Sequence, residues 1–207
     1  MKQIFELISL TIYFLISVSA FGQSKDFNDN AELITLNGTP YLLDLRYASD
    51  NNFLHRAIYK EHGLSTCLVH KDLAKKLETI KKDLQEQYLQ LVLLDCFRPL
   101  AVQKAMWNIL PDRRYVANPK NGSNHNRAAA IDVALADENG KILLFPTAFD
   151  DFTSKAAAHY KCPKADSLAC KNRDLLFGLM KKAGLKGINS EWWHFELPNA
   201  RQYPIIE

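Results

Sequence analysis

Leu73, Leu77, Ile80 and Leu84 recur at steps of three and four, with lysines on the opposite side. That is the stripe of an amphipathic helix, and it predicts one over residues 72–88. A second stripe, Leu168, Leu175, Leu176, Leu179 and Met180, predicts a helix over residues 167–183 with those side chains turned inward and Gly184 ending it. A third helix, 100–110, starts at Pro99, whose fixed φ suits a first turn. Other apolar runs are short and bounded by turn residues, as buried strands are. They cover 33–36, 41–45, 91–94, 129–135, 141–145 and 192–197. Asn37-Gly38-Thr39-Pro40 reads as a turn between the first two, and Asp137-Glu138-Asn139-Gly140 as the turn of a hairpin joining 129–135 to 141–145. The predicted fold class is α+β: a small mixed, mainly antiparallel sheet with flanking helices.

The first twenty residues follow a different pattern. Lys2 precedes an apolar run from Leu7 to Val18, and Val18-Ser19-Ala20 puts small residues where a leader is cut. The run is shorter than the ~20 residues a spanning helix needs. Residues 1–20 therefore read as a signal peptide and 21–30 as a flexible mature N-terminus. Residues 31–207 form one catalytic domain, exported to the periplasm or secreted, with no stable membrane insertion after cleavage. The composition, 207 residues with 47% hydrophobic and 24% charged, fits one ordinary domain. A net charge of +3 with scattered lysines gives no footprint for nucleic acid. Export permits disulfides among the four cysteines. Cys162 and Cys170 flank a proline-containing loop and can close a short ring. Cys67 and Cys96 either pair or stay as buried thiols. No CxxC spacing makes a cysteine a metal ligand.

The candidate chemistry lies in two stretches. In Ser123-Asn124-His125-Asn126-Arg127-Ala128-Ala129-Ala130-Ile131-Asp132, a loop carries His125 and an apolar strand carries Asp132. A carboxylate in an apolar strand needs a partner, here a metal ion or an arginine. Near the C-terminus, Glu191-Trp192-Trp193-His194 adds a second histidine and another carboxylate. Two histidines and a carboxylate form a common zinc ligand set with a position left for water. His125, Asp132 and His194 are the candidate ligands of one zinc ion per chain, with the site at the sheet. Glu191 is the candidate base. Glu191 and His194 are an odd number of positions apart and would face opposite ways in a regular strand, so both can face one site only if Glu191 precedes the strand, as the Asn189-Ser190 turn suggests, or lies at a bulge. Arg98 sits at a strand-to-helix junction and reads equally well as a functional group or as the ion-pair partner of Asp95. Asp150 and Asp151 fit a turn and helix cap, or a seat for a substrate ammonium group.

Taken together and in order, these pieces resemble the D-alanyl-D-alanine dipeptidase family of zinc peptidases. The resemblance runs from about Asp44 to Leu197. It includes Asp44-Leu45-Arg46-Tyr47-Ala48, Asp95-Cys96-Phe97-Arg98-Pro99, Phe149-Asp150-Asp151-Phe152 and Asn172-Arg173. It implies hydrolysis of the small dipeptide D-alanyl-D-alanine, with His125, Asp132 and His194 on zinc and Glu191 as base. It also implies that Arg98 stabilises the transition state and that Ser123, Tyr47 and Asp150 hold the substrate. Two rival readings are a D,D- or L,D-carboxypeptidase of peptidoglycan stems and a zinc-containing wall-binding module without catalysis. The chain departs from the family at Ala128, where a glycine is usual; a positive φ there would cost an alanine energy.

Overall fold

The computed structural model describes residues 32–113 and 115–206. The expected signal peptide, 1–20, and the N-terminal extension, 21–30, both lie outside the described residues. Among those described, no helix is long and apolar enough to cross a membrane.

The centre of the molecule is a pair of antiparallel strands, β4 (Leu89–Asp95) and β5 (Ala130–Asp137). Leu91–Leu94 and Ala130–Ala136 are almost entirely without solvent exposure. Both strands are therefore covered on both faces, which is why their sequences are near-continuous apolar runs, interrupted within β5 by Asp132, and not alternating ones. Around them the sheet grows to five strands in the order β2-β4-β5-β7-β6, with β2 at Tyr41–Leu43, β6 at Lys186–Gly187 and β7 at His194–Glu196. β2 lies parallel to β4 and the other pairings are antiparallel.

A second, two-stranded sheet joins β1 (Leu33–Leu36) to β3 (Cys67–His70). The turn at Asn37–Pro40 therefore does not fold its two strands onto each other. It sends one to each sheet. The hairpin expected after β5 is also reduced. The chain returns past Asp137, but it makes only a single bridge, Ala136 with Ile142. β7 pairs with β5 only from Ala130 to Asp132. The returning segment takes part of the edge left open, through Leu143 N–H to Leu135 C=O at 2.8 Å.

The helix expected over 72–88 is two helices, α2 (Lys71–Glu78) and α3 (Lys81–Glu86). They part at Thr79-Ile80, two β-branched residues with poor helix preference. Thr79 Oγ1 donates to Lys76 C=O at 2.7 Å, in competition with the helical ladder. Leu73, Leu77, Ile80 and Leu84 are all fully buried across the break, so the apolar stripe survives although the helix does not. His70 caps α2, its Nδ1 accepting from Asp72 N–H at 3.2 Å. A short α1 (Ile58–Glu61) buries Ile58 and Tyr59. Helix α4 (Leu100–Ile109) follows Pro99, and α5 (Ser167–Lys182) ends before Gly184 at φ +77°. α3 lies against β4 and α5 against β5. Leu176, Leu179 and Met180 of α5 are buried, whereas Leu168, expected inward, is 56% exposed. It sits in the first turn and lines a groove with Leu144 and Trp192.

Two disulfides close, Cys67–Cys96 and Cys162–Cys170. Asn172 and Arg173 brace loops from α5: Asn172 Nδ2 donates to Leu144 C=O at 2.9 Å and Arg173 Nη1 to Tyr160 C=O at 2.5 Å.

Candidate active site

Strand register builds the core of the site. Asp132 on β5 lies directly opposite His194 on β7, so their side chains leave the same face of the sheet. His194 Nδ1 is 2.9 Å from Asp132 Oδ1. His125 reaches the same point from a single 3-10 turn, His125–Arg127, which precedes β5. That turn ends at Ala128 in the left-handed conformation, φ 52° and ψ 20°. The positive φ suspected from the sequence is real, and an alanine adopts it there. The reversal puts His125 Nε2 at 3.2 Å from His194 Nδ1 and 3.3 Å from Asp132 Oδ1.

Three donor atoms thus form a triangle with sides of 2.9, 3.2 and 3.3 Å. Ligands about 2.0–2.1 Å from a tetrahedral zinc are spaced about 3.3 Å apart, so the triangle has the size of one face of such a site. All three residues are buried. The far nitrogens of the rings are also engaged. His125 Nδ1 faces the Cys96 carbonyl at 2.9 Å, and His194 Nε2 faces Glu196 Oε2 at 3.3 Å. Each ring can therefore donate from one nitrogen while offering the other inward, the arrangement that metal-binding histidines use. Glu196 is also held by Asn124 Nδ2 at 2.6 Å. Its carboxyl is partly buried, but bonds from His194 and Asn124 keep it below the ordinary range.

The charges agree with this picture. Burial works against ionised Asp132, but His125 and His194 hold its carboxyl well below the usual range. Burial also works against protonated His194, yet its bonds to Asp132 and Glu196 push it up to about 10. Without a metal, ionised Asp132 and protonated His194 therefore stabilise each other, and a cation bound there would take the place of the His194 proton.

The site opens into a cavity of about 230 Å³, small beside the ~300–1,000 Å³ of drug-sized pockets. Glu191, Arg98, Ser123, Tyr47 and Asp150 all line it. These five and the three candidate ligands thus meet in one place, whereas Asp151 does not line it. Glu191 lies on the approach to β7 and not within it, which removes the facing conflict. Burial raises the pKa of its carboxyl, because a carboxylate held out of water is harder to ionise. A larger groove of about 740 Å³, by Arg46, Leu144 and Trp192, contains none of these groups.

Arg98 and Asp95 form the ion pair the sequence allowed, and Arg98 also lines the cavity. Asp95 Oδ2 accepts from Arg98 Nε at 3.2 Å and from Nη2. Gln103 Oε1 accepts from Arg98 Nη1 at 2.9 Å. Burial disfavours the guanidinium charge, and Asp95 more than restores it. The Tyr47 ring lies 5.2 Å from the guanidinium carbon, and its hydroxyl donates to Asp150 Oδ2 at 2.9 Å. Asp150 has φ 58°, and burial pushes its carboxyl well up, against the Tyr47 bond. Asp151 instead caps a turn, accepting from Thr153 N–H at 2.7 Å.

Sequence reasoning missed the supports. Asp95 also accepts from the Tyr59 hydroxyl and from Cys96 N–H at 2.8 Å. Asn126, fully buried, donates to Arg98 C=O at 2.7 Å and accepts from Ser123 N–H at 2.6 Å. Glu196 was findable, since two residues after His194 in a strand is the same face. Arg113, at the cavity mouth, carries no such signal.

A family model described as D-ala-D-ala dipeptidase, within the M15 peptidases, matches residues 30–205. The D-alanyl-D-alanine dipeptidase of Escherichia coli (strain K12) is 40% identical over 164 residues, covering 79% of this chain and 82% of that protein.

Proposed function

The chain belongs to the D-alanyl-D-alanine dipeptidase family of metal-dependent peptidases and hydrolyses D-alanyl-D-alanine; from that premise we propose how its own residues do so. The reading rests on one observation: three buried donor atoms within 3.3 Å of one another, beside a carboxylate and an arginine in one small cavity. His125, Asp132 and His194 hold one zinc ion. When bound, zinc acts as a Lewis acid that polarises the scissile carbonyl and lowers the pKa of water towards ~7.

Glu191 accepts the proton of the attacking water as the new C–O bond forms. It then delivers that proton to the departing amine as the C–N bond breaks. Arg98 donates to the oxygen on which negative charge develops, and Asp95 and Gln103 keep it aimed without reorganisation. Asp150, paired with the Tyr47 hydroxyl, receives the substrate ammonium group, whose charge restores ionisation to the buried carboxyl. Ser123 and Arg113 line the cavity where the free carboxylate would lie.

The small cavity favours a free dipeptide over a peptidoglycan stem. Export to the periplasm or beyond, after loss of residues 1–20, is supported by two disulfides, which persist in oxidising compartments.

The test combines metal content with a Glu191→Gln substitution. Purified protein should carry about one zinc per chain. Glu191→Gln should keep the zinc and lose ~10²–10⁴ in turnover of D-alanyl-D-alanine. Loss of zinc in that variant would make Glu191 a ligand and overturn the assignment. Faster cleavage of a pentapeptide stem than of the dipeptide would favour a carboxypeptidase. Zinc without any turnover would leave a wall-binding module.

A further inference from the structure

The hydrolysis described above makes no use of the Cys67–Cys96 disulfide, yet that bond is fully buried and lies beside two of the groups that matter. Cys67 opens β3 in the two-stranded sheet, and Cys96 follows β4 in the five-stranded sheet. The bond is thus a covalent tie between the two sheets. It holds the segment 95–98. The Cys96 carbonyl faces His125 Nδ1 at 2.9 Å, the Asp95 carboxylate aims Arg98, and Arg98 N–H donates to His125 C=O at 3.1 Å. One backbone bond, Phe97 N–H to Leu68 C=O at 2.8 Å, ties the same segment to β3. At the other end of β3, His70 N–H donates to Ala128 C=O at 2.8 Å, at the left-handed residue that closes the His125 turn. β3 therefore grips both segments that set the position of His125.

We propose that the Cys67–Cys96 disulfide is a positioning element for the metal site: closed, it fixes the Cys96 carbonyl against His125 and the Asp95 carboxylate against Arg98. The inference rests on the reading of His125 as a metal ligand. Bonded sulfurs sit about 2 Å apart, whereas unbonded heavy atoms need about 3.5–4 Å. Two thiols in a close-packed interior must push Cys96 away from β3, and alanine or serine at both positions removes the covalent tie and leaves unfilled space; in each case the carbonyl that orients His125, on the same residue, is free to shift. Loss of such an orienting partner typically weakens metal binding ~10–100-fold. The Cys162–Cys170 bond touches none of these groups. Its cysteines lie at and just before the start of α5, and neither lines the cavity.

The experiment compares Cys67→Ala/Cys96→Ala and Cys67→Ser/Cys96→Ser with the control Cys162→Ser/Cys170→Ser, all in the full mature chain. Zinc affinity is read by competition with a chromogenic chelator at a temperature where each variant is folded. The kcat and KM for D-alanyl-D-alanine are measured separately. Both variants of the first pair should bind zinc ~10–100-fold more weakly and lose kcat with little change in KM, while the control stays within about twofold of wild type. A folded variant of the first pair with zinc affinity within twofold of wild type, even with a lowered Tm, would make the bond a structural staple only and overturn the proposal. If neither variant folds, graded phosphine reduction of the wild-type protein reads the same quantity. Mass spectrometry of quenched aliquots identifies the bond opened. Zinc release that tracks opening of Cys67–Cys96 supports the proposal, and release that does not track it overturns it. A wild-type protein with no zinc affinity at all would overturn the ligand assignment and this inference with it.

Discussion

Replacing Asp95 with asparagine removes a charge and almost no volume. The carboxylate is completely buried and accepts four hydrogen bonds. Oδ1 takes the Tyr59 hydroxyl and Cys96 N–H, and Oδ2 takes Arg98 Nε and Nη2. An amide offers one oxygen and one NH₂, so one pair of donors must face another donor. If that pair is on Arg98, the guanidinium keeps only Gln103. If it is Tyr59 and Cys96, the Cys96 peptide that orients His125 comes loose. In either case a buried guanidinium has lost its counter-charge. Breaking a buried ion pair from one side costs ~3–5 kcal/mol. For a chain of this size each kcal/mol moves Tm by about 2–4 °C, so the expected fall is roughly 6–20 °C. A displaced Arg98 should cost at least ~10² in kcat/KM, the scale of a misplacement of about 1 Å. The assay is thermal and urea unfolding at saturating zinc, with kcat/KM on D-alanyl-D-alanine and metal content from the same preparation. At saturating zinc the metal should remain bound, with its affinity weakened only if the Cys96 peptide is the group that comes loose. A stability loss below about 1 kcal/mol with kcat/KM unchanged would refute the view that Asp95 holds Arg98 in its working position.

Two further outcomes follow from the same geometry. Glu196→Gln keeps an oxygen for Asn124 but removes the carboxylate facing His194 Nε2; chelator competition should show zinc held ~10–100-fold more weakly, and an unchanged affinity would show that Glu196 does not support His194. In the metal-free protein the imidazole of His194, pushed up to about 10 by Asp132 and Glu196 against its burial, is protonated at neutral pH. Zinc must displace that proton, so its apparent affinity should rise ~10-fold per pH unit from neutrality and level off towards that value. Calorimetry in buffers of different ionisation enthalpy should find about one proton released per zinc at pH 7–8, and no release would count against His194 as a ligand.

The amino-acid sequence by itself picked out the candidate chemistry and the main elements. His125, Asp132, Glu191 and His194 stood out because metal and proton chemistry needs those side chains, and a carboxylate inside an apolar strand must have a partner. The two central strands and α5 were legible as runs and periods, which are local properties of the chain. Tertiary structure alone decided how they meet. The cross-strand register put Asp132 opposite His194, and the left-handed Ala128 turned His125 onto the same point. Pairing chose the partners of β1 and β2, split one expected hairpin between strand and bridge, and joined Cys67 to Cys96. Tyr59 and Asn126 acquire their roles from neighbours far away in sequence, Asp95 and Arg98. No periodicity records such contacts, because a hydrogen bond between distant segments depends on where the backbone places them and leaves no mark on the residues between.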